Sequence, residues 1–156
     1  MIKEEKNKKK LIPLLVYGSL RPGQYNFDRF FGKLSKNRID NPETEVDFIC
    51  SVILSGYKMY TIGKAPYPVV IYGKPEDEIE CDLLLIDENS YNNIRLMEEE
   101  AGYNEDKVDV KFEESKNSFE ANVFVYGDSI NLDKYQRIES GNWNQYVAEN
   151  SKAEVN

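Results

Sequence analysis

The sequence is compatible with a single domain of mixed α+β fold. About six or seven β-like segments and two helical segments follow one another along the chain. The sequence shows no linker between them and no internal repeat. The chain has 156 residues, 40% of them hydrophobic, which is enough for one hydrophobic core and too few for two. We therefore expect one domain over residues 11–148, a charged flexible tail at 1–10 and a frayed tail at 149–156.

The first β-like segment ends abruptly in a loop rich in glycine. The apolar residues 11–17 are followed by Gly18, Ser19, Pro22 and Gly23. Glycine permits backbone conformations that a Cβ forbids, so successive N–H groups of such a loop can converge on one anionic or carbonyl oxygen. The glycine spacing alone is equally compatible with a ligand-binding loop and with a plain turn between a strand and a helix that binds no ligand.

Apolar periodicity predicts a short helix directly after this loop. Its apolar residues recur at positions i, i+3, i+4 and i+7 and are Phe27, Phe30, Phe31 and Leu34. Asn26 is the candidate N-cap of this helix. Further β-like segments lie at residues 48–54, 57–62, 69–72, 79–86, 107–112 and 121–126. In the polar remainder of the chain, Trp143 is expected to dock on the domain.

A second predicted helix carries a carboxylate on its apolar face. It begins at Asp87 or Ser90, the two competing N-caps, and ends near Glu100, with Gly102 as its stop signal. The apolar residues of its inner face, at i, i+3 and i+7, are Ile94, Met97 and Ala101. Glu98 occupies position i+4 of that face. Burying an ionised carboxylate there costs on the order of several kcal/mol if it is unpaired. We therefore expect Glu98 to have a partner, to have a catalytic role, or to reach solvent at the edge of the apolar face.

Charge and residue usage narrow the classes of partner and chemistry. The formal net charge of −8 argues against nucleic acid and favours small molecules as partners. The apolar run 11–17 is too short to cross a bilayer and lacks a secretory cleavage pattern, so we expect no membrane contact and a cytoplasmic location. Histidine is absent and the two cysteines, Cys50 and Cys81, are far apart in sequence. This usage argues against a zinc site and leaves acid–base chemistry to carboxylates or tyrosines.

Several segments together resemble the gamma-glutamylcyclotransferase-like superfamily. They are the strand and loop Val16-Tyr17-Gly18-Ser19-Leu20, the continuation Gly23-Gln24-Tyr25-Asn26 similar to the gamma-glutamylamine cyclotransferase branch, Gly56-Tyr57-Lys58-Met59-Tyr60, Tyr67-Pro68-Val69-Val70, the helix end Met97 to Tyr103, and Ser140-Gly141-Asn142-Trp143. The resemblance covers most of residues 12–126. It implies a small mixed β-barrel flanked by short helices, with a pocket at one end of the barrel.

The resemblance also implies a reaction that needs neither a cofactor nor a metal. The α-amine of a gamma-glutamyl amide attacks its own γ-carbonyl, which closes 5-oxoproline and releases a free amine. Glu98 keeps the spacing of the family's catalytic acid–base residue, with Glu99 and Glu100 as alternative registers. Its apolar face is expected to raise the pKa of the carboxyl group toward that task.

The remaining site residues implied by the resemblance bind the substrate. The backbone amides of Gly18, Ser19 and Leu20 would hold the α-carboxylate or the developing oxyanion. Tyr17, Tyr103 and Tyr126 are candidates for the pocket wall. Each tyrosine is equally compatible with a core position and a satisfied hydroxyl.

Two other functions stay open on the sequence. Arg95 stands where the family usually has an acidic residue, and Glu99 stands where a glycine often follows the catalytic glutamate. These departures favour a noncatalytic module that binds an acidic metabolite or a peptide end in the same pocket. A protein that only presents an aromatic interaction surface is the third alternative. Turnover, binding without turnover, and absence of small-molecule binding distinguish the three.

Overall fold

A computed structural model describes residues 11–31, 34–35, 38–39, 46–111, 118–126 and 131–155. Their elements, in chain order, are β1 (Leu11–Val16), α1 (Tyr25–Phe31), β2 (Leu34–Ser35), β3 (Arg38–Ile39), β4 (Val46–Ser55), β5 (Tyr57–Thr61), β6 (Val69–Tyr72), β7 (Glu78–Asp87), α2 (Glu88–Glu100), β8 (Asn104–Lys111), β9 (Ser118–Val125), β10 (Gln136–Arg137) and α3 (Trp143–Val155). The mixed α+β fold predicted from the sequence is confirmed.

The main sheet has five strands in the order β4-β7-β1-β9-β8. β1 lies at its centre, antiparallel to β7 and parallel to β9. A second sheet has the order β10-β5-β6, and β2 pairs with β3. The described strands therefore form separate sheets, and they do not close into the barrel that the resemblance implied.

The two faces of β1 point into two different cores, because successive side chains of a strand alternate. Leu15 packs toward β5, β6 and α3, in a core that includes Met59, Val70 and Trp143. Leu14 and Val16 pack toward α1 and α2, in a core that includes Phe31, Leu84 and Ile94. The glycine loop leaves the end of β1 between these two cores.

The helix α2 follows the sequence prediction closely. The Asp87 side chain caps it and accepts a hydrogen bond from the Ser90 amide at 3.0 Å. After the helix, Gly102 has a φ of 96°, a left-handed conformation that favours glycine and ends the helix. Ile94 is fully buried, as its place on the inner face predicts.

The prediction for the first helix is wrong at both ends. The helix ends at Phe31, and Leu34 lies in the two-residue strand β2. The helix begins at Tyr25, so Asn26 is a helical residue and not the N-cap. The amides of Asn26 and Phe27 instead donate to the Ser19 carbonyl, and this main-chain acceptor removes the need for a capping side chain.

The helix α3 is a further element, which the sequence did not predict. Trp143 at its start is buried, with 2% of its surface exposed, and packs against Tyr146. The helix continues into the segment predicted to fray, whereas the predicted tail at 1–10 lies outside the described residues. The domain and tail boundaries therefore stay predictions. None of the described helices is long and apolar enough to span a membrane.

Candidate active site

A cavity of about 240 Å³ opens between the glycine loop, α1 and the C-terminal half of α2. Six of the seven predicted site residues line it: Tyr17, Gly18, Ser19, Leu20, Glu98 and Tyr103. Tyr126, the seventh, is not among its lining residues. The fold therefore brings the loop and the predicted acid together, although about eighty residues separate them in sequence.

Backbone carbonyls of the loop accept hydrogen bonds within the protein, whereas three of its amides do not donate to the described backbone. The Gly18 carbonyl accepts from the Arg21 amide at 3.0 Å, and the Ser19 carbonyl accepts from the first residues of α1. In the described part of the chain, the amides of Gly18, Ser19 and Leu20 donate to no backbone acceptor. The three residues line the cavity, and their amides are available to bind an oxygen atom of a ligand.

Gly18 is required here by close packing. A Cβ built on it would lie 2.5 Å from Cδ of Pro68, which is closer than real Cβ atoms approach another atom. The loop therefore rests directly on Pro68, and both residues line the cavity. Any larger residue at position 18 has to push the loop and Pro68 apart.

A buried ion pair fixes the loop from behind. Nε of Arg21 donates to Oδ2 of Asp82 at 2.8 Å, and Nη2 donates to Oδ1 of the same residue at 3.2 Å. Arg21 also donates to Glu80 and to Oδ1 of Asn142. Arg21 and Asp82 are 4% and 5% exposed. Sequence reasoning missed this pair, because 61 residues separate its members and no local pattern joins them.

Glu98 is the acidic residue of the helix end that faces the cavity. Its side chain is partly buried, and this burial raises the pKa of the carboxyl group from 4.5 to about 7. Glu99 and Glu100 are exposed. Glu99 pairs instead with Arg95 across 3.8 Å on the outer side of α2. Glu98 is the one of these three glutamates that lines the cavity, and its raised pKa suits proton transfer at neutral pH.

The three tyrosines occupy different positions around the cavity. The hydroxyl of Tyr17 donates to the Phe124 carbonyl, and that of Tyr103 donates to the Pro68 carbonyl at 2.6 Å. Burial raises the pKa of both phenols above the ordinary range, so both stay neutral. Their hydroxyls are thus engaged with the main chain, and their rings form the cavity wall.

Tyr126 packs against Tyr103, one of the residues of this wall. Its ring packs on Tyr103, with the ring centroids 4.3 Å apart, and its hydroxyl donates to the Ala101 carbonyl at the end of α2. It supports Tyr103 and the helix end that carries Glu98. Its predicted role in substrate binding has no contact with the cavity to support it.

Sequence reasoning missed several other lining residues. They are Leu14, Leu15, Val16, Tyr25, Asn26, Arg29, Tyr67, Pro68, Met97, Ala101 and Phe124. Asn26 and Arg29 are separated by three positions on α1, so they share one side of the helix. The polar spacing of these two residues was a usable signal, but the apolar periodicity of Phe27, Phe30 and Phe31 dominated the prediction. Arg29 and Glu98 are the two charged residues among those that line the cavity.

The arrangement combines two chemical capabilities. A carboxyl group with a pKa near 7 can take up and release protons at neutral pH. Main-chain amides fixed by the Arg21 pair can stabilise negative charge on a substrate oxygen without reorganising. Both assist attack on an amide carbonyl and cleavage of its C–N bond.

Comparison with known proteins places these features in a family. A family model described as gamma-glutamyl cyclotransferase, AIG2-like matches residues 14–145. This range includes the glycine loop and the whole of α2. A search of curated proteins found no significant match to the sequence.

Solved structures support the same fold at low sequence identity. An uncharacterized protein of Pyrococcus horikoshii is 20% identical with a TM-score of 0.61, and the match covers 90% of this chain and 97% of the other. An AIG2-like protein of Mus musculus is 17% identical with a TM-score of 0.64, covering 83% and 87% of the two chains. A uropathogenic E. coli-specific protein is 16% identical with a TM-score of 0.59, covering 88% and 96%. At these identities the likeness concerns the fold alone.

Proposed function

Since the chain belongs to the AIG2-like gamma-glutamyl cyclotransferase family, we propose that it converts a gamma-glutamyl amide into 5-oxoproline and a free amine. One observation carries the proposal. Glu98 and the loop residues Gly18, Ser19 and Leu20 line the same cavity. The proposed substrate is a small molecule, the reaction uses no cofactor, and we place it in the cytoplasm.

Proton removal from the substrate is the first proposed step. The α-amine of a gamma-glutamyl compound is protonated at neutral pH and has no lone pair for attack. The ionised form of Glu98 accepts one of its protons. A base with a pKa of about 7 is half ionised at neutral pH, and such positioned acid–base groups typically contribute about 10²–10⁴-fold in rate.

Ring closure and amide cleavage follow. The α-nitrogen forms a bond to the γ-carbon, and the carbonyl π electrons move to the oxygen. The tetrahedral intermediate collapses, and the bond from the γ-carbon to the leaving nitrogen breaks. Glu98 passes protons from the α-nitrogen to the leaving nitrogen, so the product lactam keeps one N–H and the amine departs protonated.

The glycine loop contributes binding and charge stabilisation. Its amides hold the substrate α-carboxylate on binding, or the oxyanion as it develops. The attack is intramolecular, and a cavity that holds the substrate folded supplies part of the proximity advantage, about 7–11 kcal/mol at best. Tyr17 and Tyr103, both buried, supply part of the wall around the substrate.

The two departures from the family pattern lie outside the cavity lining. Arg95 and Glu99 are exposed and pair with each other on the outer side of α2. Exposed ion pairs of this kind contribute about 0–1 kcal/mol and perturb their surroundings little. This placement favours the enzyme over the noncatalytic module that the sequence left open.

The test is incubation of the purified protein with a panel of gamma-glutamyl amines and detection of 5-oxoproline. We expect product with the wild type and with Glu99→Gln, and a loss of at least about 100-fold with Glu98→Gln. Circular dichroism establishes that each variant is folded. Tight binding of gamma-glutamyl compounds without 5-oxoproline would identify the noncatalytic module.

A further inference from the structure

Asn26 of α1 lines the cavity and carries a buried side-chain oxygen without a partner in the part of the chain that the structure describes. Asn26 is 6% exposed and lines the cavity. Its Nδ2 donates to the Ser19 hydroxyl at 2.8 Å. Its Oδ1 accepts no hydrogen bond from any described residue. Buried carboxamide oxygens are normally paired in native proteins, so an unpaired one at a cavity indicates that a ligand completes it.

The location of this acceptor limits which ligand group it takes. The Asn26 side chain is hydrogen-bonded to the hydroxyl of Ser19. The backbone amide of Ser19 is one of the three donors of the glycine loop. A hydrogen-bond acceptor therefore lies beside a set of donors. A carboxylate and an ammonium group on one carbon atom, as in the α-amino acid end of a gamma-glutamyl compound, complement this arrangement.

We infer that Oδ1 of Asn26 accepts a hydrogen bond from the α-ammonium group of the substrate, while the loop amides bind the α-carboxylate. This inference rests on the proposed function and names the group that makes the site specific for a gamma-glutamyl compound with a free α-amine. Asn26 also orients the nucleophile, because it holds one N–H of the nitrogen that attacks the γ-carbonyl. Acylated or deaminated analogues lose this contact.

Binding of two ligands separates this role from a structural one. The first is the gamma-glutamyl ethylamide, and the second is the same molecule without its α-amino group, N-ethylglutaramic acid. Calorimetry in the Glu98→Gln background measures both without turnover. The readout is the ratio of the two affinities, which cancels general damage to the cavity.

We expect Asn26→Leu to lower the preference for the amino compound by at least about 10-fold, as for a lost hydrogen bond to a charged group. Asn26→Asp keeps an acceptor oxygen and adds a negative charge, so it should retain or increase the preference. Asn92→Leu, the same change at an exposed position of α2, should leave the ratio unchanged.

Three results would overturn the inference. They are a ratio that stays within twofold in Asn26→Leu, a ratio that falls in Asn26→Asp, and failure of the Asn26-intact protein to prefer the amino compound. If Asn26→Leu does not fold, the ratio in Asn26→Asp decides. A wild type that binds with this preference but forms no 5-oxoproline contradicts the proposed reaction alone, so the two failures are distinct.

Discussion

The guanidinium group of Arg21 forms two hydrogen bonds to the carboxylate of Asp82, at 2.8 and 3.2 Å, with both side chains almost fully buried. Arg21 follows the last of the three loop amides directly in sequence. The pair therefore connects the floor of the cavity to β7, the interior strand between β4 and the central β1. Planar two-point pairing of this kind requires arginine, and lysine does not reproduce it.

Removing Arg21 should damage both the fold and the site. Arg21→Met leaves the Asp82 carboxylate buried without its cation, which typically costs about 3–5 kcal/mol. Urea unfolding should show this loss, and any remaining activity should have a raised KM because the loop amides shift. Lys107→Met is the matched control. Lys107 pairs with Glu120 across 3.8 Å at the surface, and its removal should cost less than about 1 kcal/mol.

Gly18→Ala should lower activity through the contact with Pro68. The added methyl group forces the loop amides outward, and we expect kcat/KM to fall by about 10–100-fold with a stability loss of about 1–3 kcal/mol. Gly56→Ala provides the contrast. Gly56 has a φ of 91° and no atom within 4 Å of a built Cβ, so this change costs stability through backbone strain but should retain activity.

The raised pKa of Glu98 makes stability depend on pH. The folded protein holds this proton up to about pH 7, whereas an ordinary glutamate releases it near pH 4.5. The protonated Glu98 carboxyl group therefore contributes fully to the free energy of unfolding below pH 4.5, and this contribution is lost as the pH rises through 7. We expect Glu98→Gln to be more stable than the wild type by about 1–3 kcal/mol at pH 8 and equal to it near pH 4.5. A difference independent of pH in urea unfolding would contradict the burial of this carboxyl group.

The same carboxyl group should set the pH dependence of the reaction. Glu98 has to be ionised to accept the substrate proton, so kcat/KM should fall about tenfold per pH unit below its pKa of about 7. Measuring 5-oxoproline formation between pH 5 and 8, at subsaturating substrate, tests this. Glu99→Gln should keep the same profile, and a profile that is flat across this range would exclude Glu98 as the base.

Much of the fold could be predicted from the sequence because its signals are local. The alternation of residues 79–86 located β7, and its Cys81 and Leu83 are buried as that pattern predicts. Helical spacing placed Glu98 on the inner side of α2, and the loop residues were recognisable from glycine and their order. Each of these depends on neighbours within a few positions.

The parts that were missed depend on long-range contacts. The Arg21–Asp82 pair and the contact of Tyr126 with Tyr103 are fixed by tertiary packing, which periodicity does not report. The helix α3 begins in a polar stretch whose structure depends on Trp143 docking into the core. Asn26 was interpreted as a cap, although the Ser19 carbonyl already serves the helix amides and frees the side chain for the cavity.

The contact of Asn142 with Arg21 has a consequence for how the protein is made. Asn142 accepts from Arg21 and donates to Glu80 at 2.6 Å, and the preceding Gly141 carbonyl accepts from the Glu80 amide. The segment that braces the start of the chain is thus synthesised 121 residues later. A nascent chain that stops before residue 142 carries every group proposed for chemistry and the Arg21–Asp82 pair, yet it lacks the hydrogen bonds by which Asn142 holds Arg21 and Glu80 together.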